Sequence, residues 1–114
     1  MARAYVPDRG DIVWLQFDPQ AGHEQAGRRP AFVVSPRAYN RKVGLALFCP
    51  VTSRVKDYPF EVRLPESGKA RGAVLSDQMK SLDWRARKAA RFDHASEEVT
   101  VEVTARILAL VDPE

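Results

Sequence analysis

Short runs of β-branched and aromatic residues alternate with glycine and proline along this chain, and the spacing of those breaks predicts a series of short strands. Asp11-Ile12-Val13-Trp14-Leu15-Gln16-Phe17, bounded by Gly10 and by Asp18-Pro19, reads as the first strand. Pro30 to Ser35 reads as the second, closed by Pro36, and residues 37–42 form a connector with the look of one helical turn. Gly44 to Thr52 is a third strand. Its alternation places Leu45, Leu47, Cys49 and Val51 on one face and Ala46, Phe48 and Thr52 on the other. Pro50 removes a ladder donor there, which predicts an edge or a bulge. Phe60 to Leu64 alternates as a half-exposed strand, residues 65–72 are rich in turn formers, and Ala73-Val74-Leu75 resumes the sheet. The C-terminus fits two periods: Val99, Val101, Val103, Ala105 and Ile107 alternate, while Val99, Val103, Ile107 and Val111 fall at helical spacing. Ser96 as an N-cap with Glu97 and Glu98 in the first turn favours a closing helix. The whole pattern is mainly β with a C-terminal helix, a small antiparallel barrel or sandwich.

Composition narrows the class. The 114 residues, 45% hydrophobic and 29% charged, suit one globular domain spanning 1–114. No apolar run approaches the roughly 20 residues needed to cross a bilayer, and Met1-Ala2-Arg3-Ala4-Tyr5 lacks the apolar core of an export signal. The lone Cys49 has no internal partner and sits in an apolar segment, as expected of a reduced core thiol. These features predict a cytoplasmic protein without membrane contact. A net charge of +3 biases encounters toward nucleic acid or an acidic protein segment. The basic run Lys80, Arg85, Arg87, Lys88 and Arg91, with Trp84 among them, adds weak support, since such runs more often form a solvated face.

Candidate chemistry concentrates in Gly22-His23-Glu24-Gln25-Ala26-Gly27-Arg28-Arg29-Pro30, where a carboxylate, an amide and two guanidiniums lie between glycines ahead of a strand. A guanidinium fork at the root of a polar loop suits the grip of a phosphate. Taken alone, these residues fit a solvated loop better. Thr52 and Ser53 end the third strand, where a hydroxyl can reach a phosphate oxygen, and Lys56, Asp57, Asp77 and Gln78 occupy later turns. The two histidines, His23 and His94, stand in unrelated contexts and there is no cysteine pair, so neither a zinc site nor a known phosphate loop is predicted. An enzyme built on these residues is expected to need no metal or cofactor.

The order Tyr5-Val6-Pro7-Asp8, Gly10-Asp11, Phe17-Asp18-Pro19, Gly22, Glu24-Gln25-Ala26-Gly27, Arg29-Pro30, Ser35-Pro36 and Tyr39-Asn40 is distinctive. So is its continuation in Tyr58-Pro59-Phe60-Glu61-Val62, Asp77-Gln78, Lys80-Ser81 and Trp84-Arg85-Ala86-Arg87. Together they resemble the MazF toxins of the MazF/PemK (Kid) family. The resemblance runs from Tyr5 to about Arg87 and favours helix from Glu97 to Val111. It implies an SH3-like, partly open antiparallel β-barrel that forms a homodimer. It also implies a metal-free endoribonuclease that cuts single-stranded RNA, chiefly mRNA, at short motifs, with an ACA-containing triplet as the first expectation. The family's catalytic arginine falls on Arg29 and its active-site threonine on Thr52. Its Glu-Gln loop falls on Glu24 and Gln25, and its Asp-Gln pair on Asp77 and Gln78. Arg28, Ser53, Lys56 and Lys80 join Gln25, Asp77 and Gln78 as candidate substrate-binding residues. Arg28 replaces a histidine common in close MazF relatives, and Leu75 stands where the PemK branch has an arginine. Partners implied are RNA, a second copy of the chain and a MazE-like antitoxin with an acidic disordered tail. Operator DNA would be reached only through that antitoxin.

The reaction can be framed without the family. Attack by the substrate's own 2′-hydroxyl on phosphorus needs donors aimed at the non-bridging oxygens, and Arg29 and Thr52 fit that role. Arginine is too weak an acid to move protons easily, so Glu24 is the candidate base. Two rivals remain at this point: a CcdB-like toxin that poisons gyrase by protein binding, and a non-catalytic RNA-binding barrel.

Overall fold

In the computed structural model, which describes residues 4–17 and 27–113, strand β1 (Asp11–Gln16) is covered on both faces. That coverage explains why its sequence is an almost unbroken apolar run instead of an alternation. Ile12 joins one core, and Val13 and Leu15 join the other. After β1 come β2 (Arg28–Val33), α1 (Arg37–Val43), β3 (Leu45–Thr52), β4 (Glu61–Arg63), β5 (Ala73–Leu75), β6 (Lys80–Asp83), β7 (Ala90–His94) and α2 (Glu97–Val111). The seven strands form an antiparallel sheet in the order β4-β5-β3-β2-β1-β7, with β6 also paired to β3. The path does not close, because β4 and β7 end it without pairing to each other. The result is the mainly β, partly open arrangement expected, with the closing helix at the C-terminus.

Two cores lie on opposite sides of the sheet. Phe32, Cys49, Val51 and Val74 meet Val99, Val103 and Ile107 of α2 on one side. Ala31, Val33, Ala46 and Phe48 meet Trp84 on the other, where Tyr5, Val6 and Leu82 add cover. The i, i+4 spacing of Val99, Val103 and Ile107 gives α2 its buried stripe. The Ser96 hydroxyl accepts the Val99 amide at 3.2 Å, and Glu97 and Glu98 complement the positive end of the helix. Helix therefore wins over the competing alternation.

Several boundaries differ from expectation, each for a visible reason. β2 begins at Arg28, so Pro30 lies inside the strand opposite Trp14. Its pairing to β3 starts only at Ala31, and a missing N–H is harmless on an edge with no neighbour. β3 is not an edge strand. Pro50 sits where its outer neighbour changes from β6, which ends at Phe48, to β5, which starts at Val51, so no ladder bond is demanded there. The connector after Pro36 is a seven-residue helix, ended by Gly44 in the left-handed region at φ 83°. β6 and β7 were not foreseen. Each mixes charged and half-buried residues, which reads as a solvated basic run. Within that run Arg85 stacks on Trp84 at 5.0 Å. The Arg87 guanidinium donates to the carbonyls of Gln16 and Phe17.

Two buried polar hubs fix the elements. Asn40 of α1 donates to the carbonyls of Pro7 (2.8 Å) and Ser35 (3.0 Å) and accepts the Ser35 hydroxyl at 2.6 Å. Its own carbonyl accepts the Trp84 indole N–H at 3.0 Å. Asp11 accepts from the Tyr5 hydroxyl and the Asp8 amide, and its other oxygen meets His94 Nδ1 at 2.8 Å. Burial, then the bond to Asp11, pushes the Tyr5 hydroxyl pKa far above its ordinary value, so it remains a donor. Tyr5→Phe should cost about 1.5–3 kcal/mol, the usual worth of a hydrogen bond to a charged group. The measurement is the urea midpoint, and an unchanged midpoint would mean the N-terminal segment is held by its other bonds, such as those at Pro7 and Asp8, without help from the Tyr5 hydroxyl.

Candidate active site

The ends of β2 and β3 carry the polar residues singled out in the sequence. In their register Ala31 faces Pro50 and Phe32 faces Cys49. Continuing that register two residues toward the strand ends sets Arg29 across from Thr52, on one face of the sheet. Both line a single cleft of about 730 Å³. Ser53, Gln78 and Lys80 line it too, as do Arg54, Arg71 and Leu75. Phe17 and Gly27 stand at its rim, tied by a hydrogen bond of 2.8 Å from the Phe17 amide to the Gly27 carbonyl. Glu24 and Gln25 lie in the sequence between them, outside the described residues.

The electrostatics of the cleft are one-sided. Arg29, Arg54, Arg71 and Lys80 line it, and no carboxylate does so among the described residues. None of the four forms an ion pair within that set either. Thr52 is oriented by a local contact: its Oγ1 accepts the Arg54 amide at 3.0 Å. With one lone pair occupied, the hydroxyl proton is available for donation into the cleft.

Other candidates are placed elsewhere. Arg28 alternates away from Arg29. Its guanidinium donates to the Lys88 carbonyl at 3.4 Å, beside a shallow depression formed with Trp14. Lys56 and Asp77 are exposed and do not line the cleft. The Lys56 amide serves the loop, donating to Glu61, and Asp77 accepts the Tyr58 hydroxyl at 2.6 Å. That bond, with a lesser contribution from burial, pushes the Tyr58 pKa up to about 12. Of the ten candidates, five line the cleft: Arg29, Thr52, Ser53, Gln78 and Lys80.

A model of PemK-like, MazF-like toxins of type II toxin–antitoxin systems matches residues 8–111. The chain belongs to that family. It is 48% identical over 112 residues to the endoribonuclease toxin MazF of Escherichia coli strain K12, covering 97% of this chain and 99% of the relative. A crystal structure of MazF (Form-I) from Deinococcus radiodurans superposes with a TM-score of 0.86 at 55% identity, covering 95% of this chain and 98% of that one. A MazE–MazF crystal structure (Form-II) from the same organism gives 0.85 at 48% identity, covering 95% and 97%. The partly open sheet with its C-terminal helix is thus the MazF fold.

Three supporting residues of this MazF-like site escaped the sequence reading. Arg54 carries no sequence signal and Arg71 lies in a turn-rich stretch, and only the fold brings both to the cleft. Glu61 opens β4, yet it is buried and its carboxylate accepts the amides of Lys56 and Asp57. It holds the loop after Thr52, in which Asp57 has φ 64°. Among the described residues no group of His, Cys, Asp and Glu is arranged to hold a metal ion. No described helix is long and apolar enough to cross a membrane.

Asp93 of β7 clamps the turn before β5, accepting the amides of Lys69 and Ala70 at 3.0 Å each. The Ala70 bond is the main cause that lowers the Asp93 pKa below the ordinary carboxylate value. The clamp therefore contributes in full above the unfolded pKa of about 3.9. It is lost as pH falls through the lower folded value. Amide exchange of Lys69 and Ala70 should accelerate below about pH 4, and Asp93→Asn should abolish that pH dependence. Protection that is insensitive to both would mean the turn is held by its own bonds.

Proposed function

We propose that this chain is the toxin of a type II toxin–antitoxin system and a metal-independent endoribonuclease that cuts single-stranded RNA, chiefly mRNA, at short motifs. The observation that carries the reading is Arg29 and Thr52 facing one another in a cleft lined by cations and free of described carboxylates. A gyrase-poisoning surface or a passive RNA-binding barrel would need no such pair, and the endoribonuclease relatives span nearly the whole chain. An ACA-containing triplet is the motif we expect.

In the mechanism, the 2′-oxygen attacks the adjacent phosphorus and the bond to the 5′-oxygen breaks. A base takes the 2′-hydroxyl proton, and the departing 5′-oxygen gains a proton from solvent. We assign the base to Glu24. Charge builds on the non-bridging oxygens, where the Arg29 fork and the Thr52 hydroxyl donate. Gln78, Ser53 and Lys80 hold the strand about the reacting phosphate. We further read the toxin as a cytoplasmic homodimer, a reading supported by the apolar Val101 and Leu108 that α2 leaves exposed.

Arg29→Ala and Thr52→Ala should each lower kcat about 100-fold to 1,000-fold, the usual cost of one oxyanion donor, with the fold intact by circular dichroism. Arg29→Lys should also fail, because an ammonium lacks the planar fork. Cleavage should persist in EDTA and yield a 5′-hydroxyl with a 2′,3′-cyclic phosphate or its 3′-phosphate product. A 5′-phosphate product, or cleavage of a substrate lacking the scissile 2′-hydroxyl, would refute attack by that hydroxyl.

Inhibition follows from the same charges. The acidic disordered tail of a MazE-like antitoxin would fold onto the cleft cations and compete with RNA, and its dimer would carry the toxin to operator DNA. Excess tail peptide should displace a 2′-deoxy, non-cleavable strand, less effectively as salt rises. Simultaneous binding of both would place inhibition elsewhere.

A further inference from the structure

We propose that Arg71 and Arg54 hold the phosphate next to the scissile one, so that the RNA strand leaves the cleft across Arg71 into an adjoining groove. This rests on the endoribonuclease reading and extends it to a residue pair and a direction of travel. The groove has a volume of about 320 Å³ and is lined by Val55, Arg63, Leu64, Glu66 and Gly72. Ser53 and Arg71 line both it and the main cleft. They form the ridge between the two, and a chain passing from one to the other must cross them.

The charge pattern supports a polyanion on that ridge. Arg37, Arg63, Arg91 and Arg106 each have a carboxylate within 4.0 Å, whereas Arg54 and Arg71, like Arg29 beside them in the cleft and Arg41 outside it, have none among the described residues. On the cleft side of the ridge no described carboxylate faces these charges, and an incoming anion relieves their mutual repulsion, whereas Glu66 lines the groove beyond. A guanidinium then gives each phosphate two parallel donors.

The backbone around Arg71 is unusually constrained for a surface turn. On its N-terminal side Asp93 clamps the amides of Lys69 and Ala70. On its C-terminal side Gly72 has φ +100° and lies so close to β3 that a Cβ there would be 2.0 Å from the Thr52 carbonyl oxygen. Its own carbonyl accepts the Leu64 amide at 2.9 Å. Arg71 is thus anchored beside Thr52. Arg54 is tied to the same residue from the other direction, through its amide on Thr52 Oγ1. Both residues are therefore held at the backbone next to the threonine proposed to face the reacting phosphate, with exposed side chains that line the cleft where a neighbouring phosphate would lie.

The test compares Arg71→Gln with Arg41→Gln, an exposed α1 charge outside both grooves. The first measurement is cleavage of an RNA extended on both sides of the cut. Arg71→Gln should raise KM about tenfold, the loss of one charged contact, with kcat unchanged. The second is binding of the 2′-deoxy strand against salt. Arg71→Gln should reduce the slope of log K against log salt by about 0.7, one phosphate contact on a single strand. Asp93→Asn should raise KM in the same way and add little to Arg71→Gln in the double variant, as expected if Asp93 acts through Arg71. A kcat loss at constant KM would put Arg71 on the reacting phosphate and overturn the proposal. An equal slope change in Arg41→Gln would reduce it to a general field. Intact strand binding with lost antitoxin-peptide binding would assign the ridge to the inhibitor instead. Should the unaltered protein cut no RNA, the endoribonuclease reading fails, while the salt slope still decides the Arg71 contact.

Discussion

Everything in this molecule depends on how many neighbours β3 can accept. Its inner edge pairs with β2, and its outer edge is divided between β6 and β5. Such a shared edge is possible only if one position demands no bond and another permits unusually close approach. Pro50 supplies the first by having no N–H to satisfy. Gly72 supplies the second, since any side chain there would collide with the Thr52 carbonyl. The join carries Thr52 to the rim of the sheet, and the start of β5 arrives beside it. The cleft is the space left where the β2 and β3 pairing runs out, so its shape is a by-product of strand topology.

Charge is sorted around that cleft. Carboxylates are spent on structural duties: Asp11 gathers the N-terminal segment, Glu61 holds the loop after β3, and Asp93 holds the turn before β5. Each is engaged by backbone amides or by hydroxyl and ring donors, and none lines the cleft, which leaves the cleft cations unneutralised among the described residues. A modest net charge of +3 therefore understates the local field. What matters for an anionic chain is the local segregation of charge, and rigid backbone contacts maintain it.

Strand positions with strong apolar content were legible in the sequence because burial on one or both faces leaves a periodic trace. β1 and β3 announced themselves that way, while α2 left two competing periods that its Ser96 cap resolved. β6 and β7 did not, since Lys80–Asp83 and Ala90–His94 are held by ladder bonds and half-buried stems, which leave little hydrophobic pattern. The pairing of Arg29 with Thr52 came from family resemblance, and the β2–β3 register supplies its physical basis. Arg28 shows the limit: adjacent residues in a strand face opposite ways, and the sequence did not say which of two arginines would face the cleft. Arg54 and Arg71 were invisible for a different reason, because their joint position follows from long-range pairing of β3 with β5. Glu61 looked like the polar side of an exposed strand until its loop was seen folded over it.

Cys49 carries a consequence of a different kind. Its thiol is fully enclosed, and burial pushes its pKa up to about 12, so the thiolate that alkylating reagents and oxidants require is scarce in the native state. The residue sits at the centre of β3, among the side chains that α2 covers. Any event that exposes the sulfur must separate that helix from the sheet. The chain therefore contains a single native reporter whose rate of chemical labelling counts excursions of the core, independent of any catalytic readout.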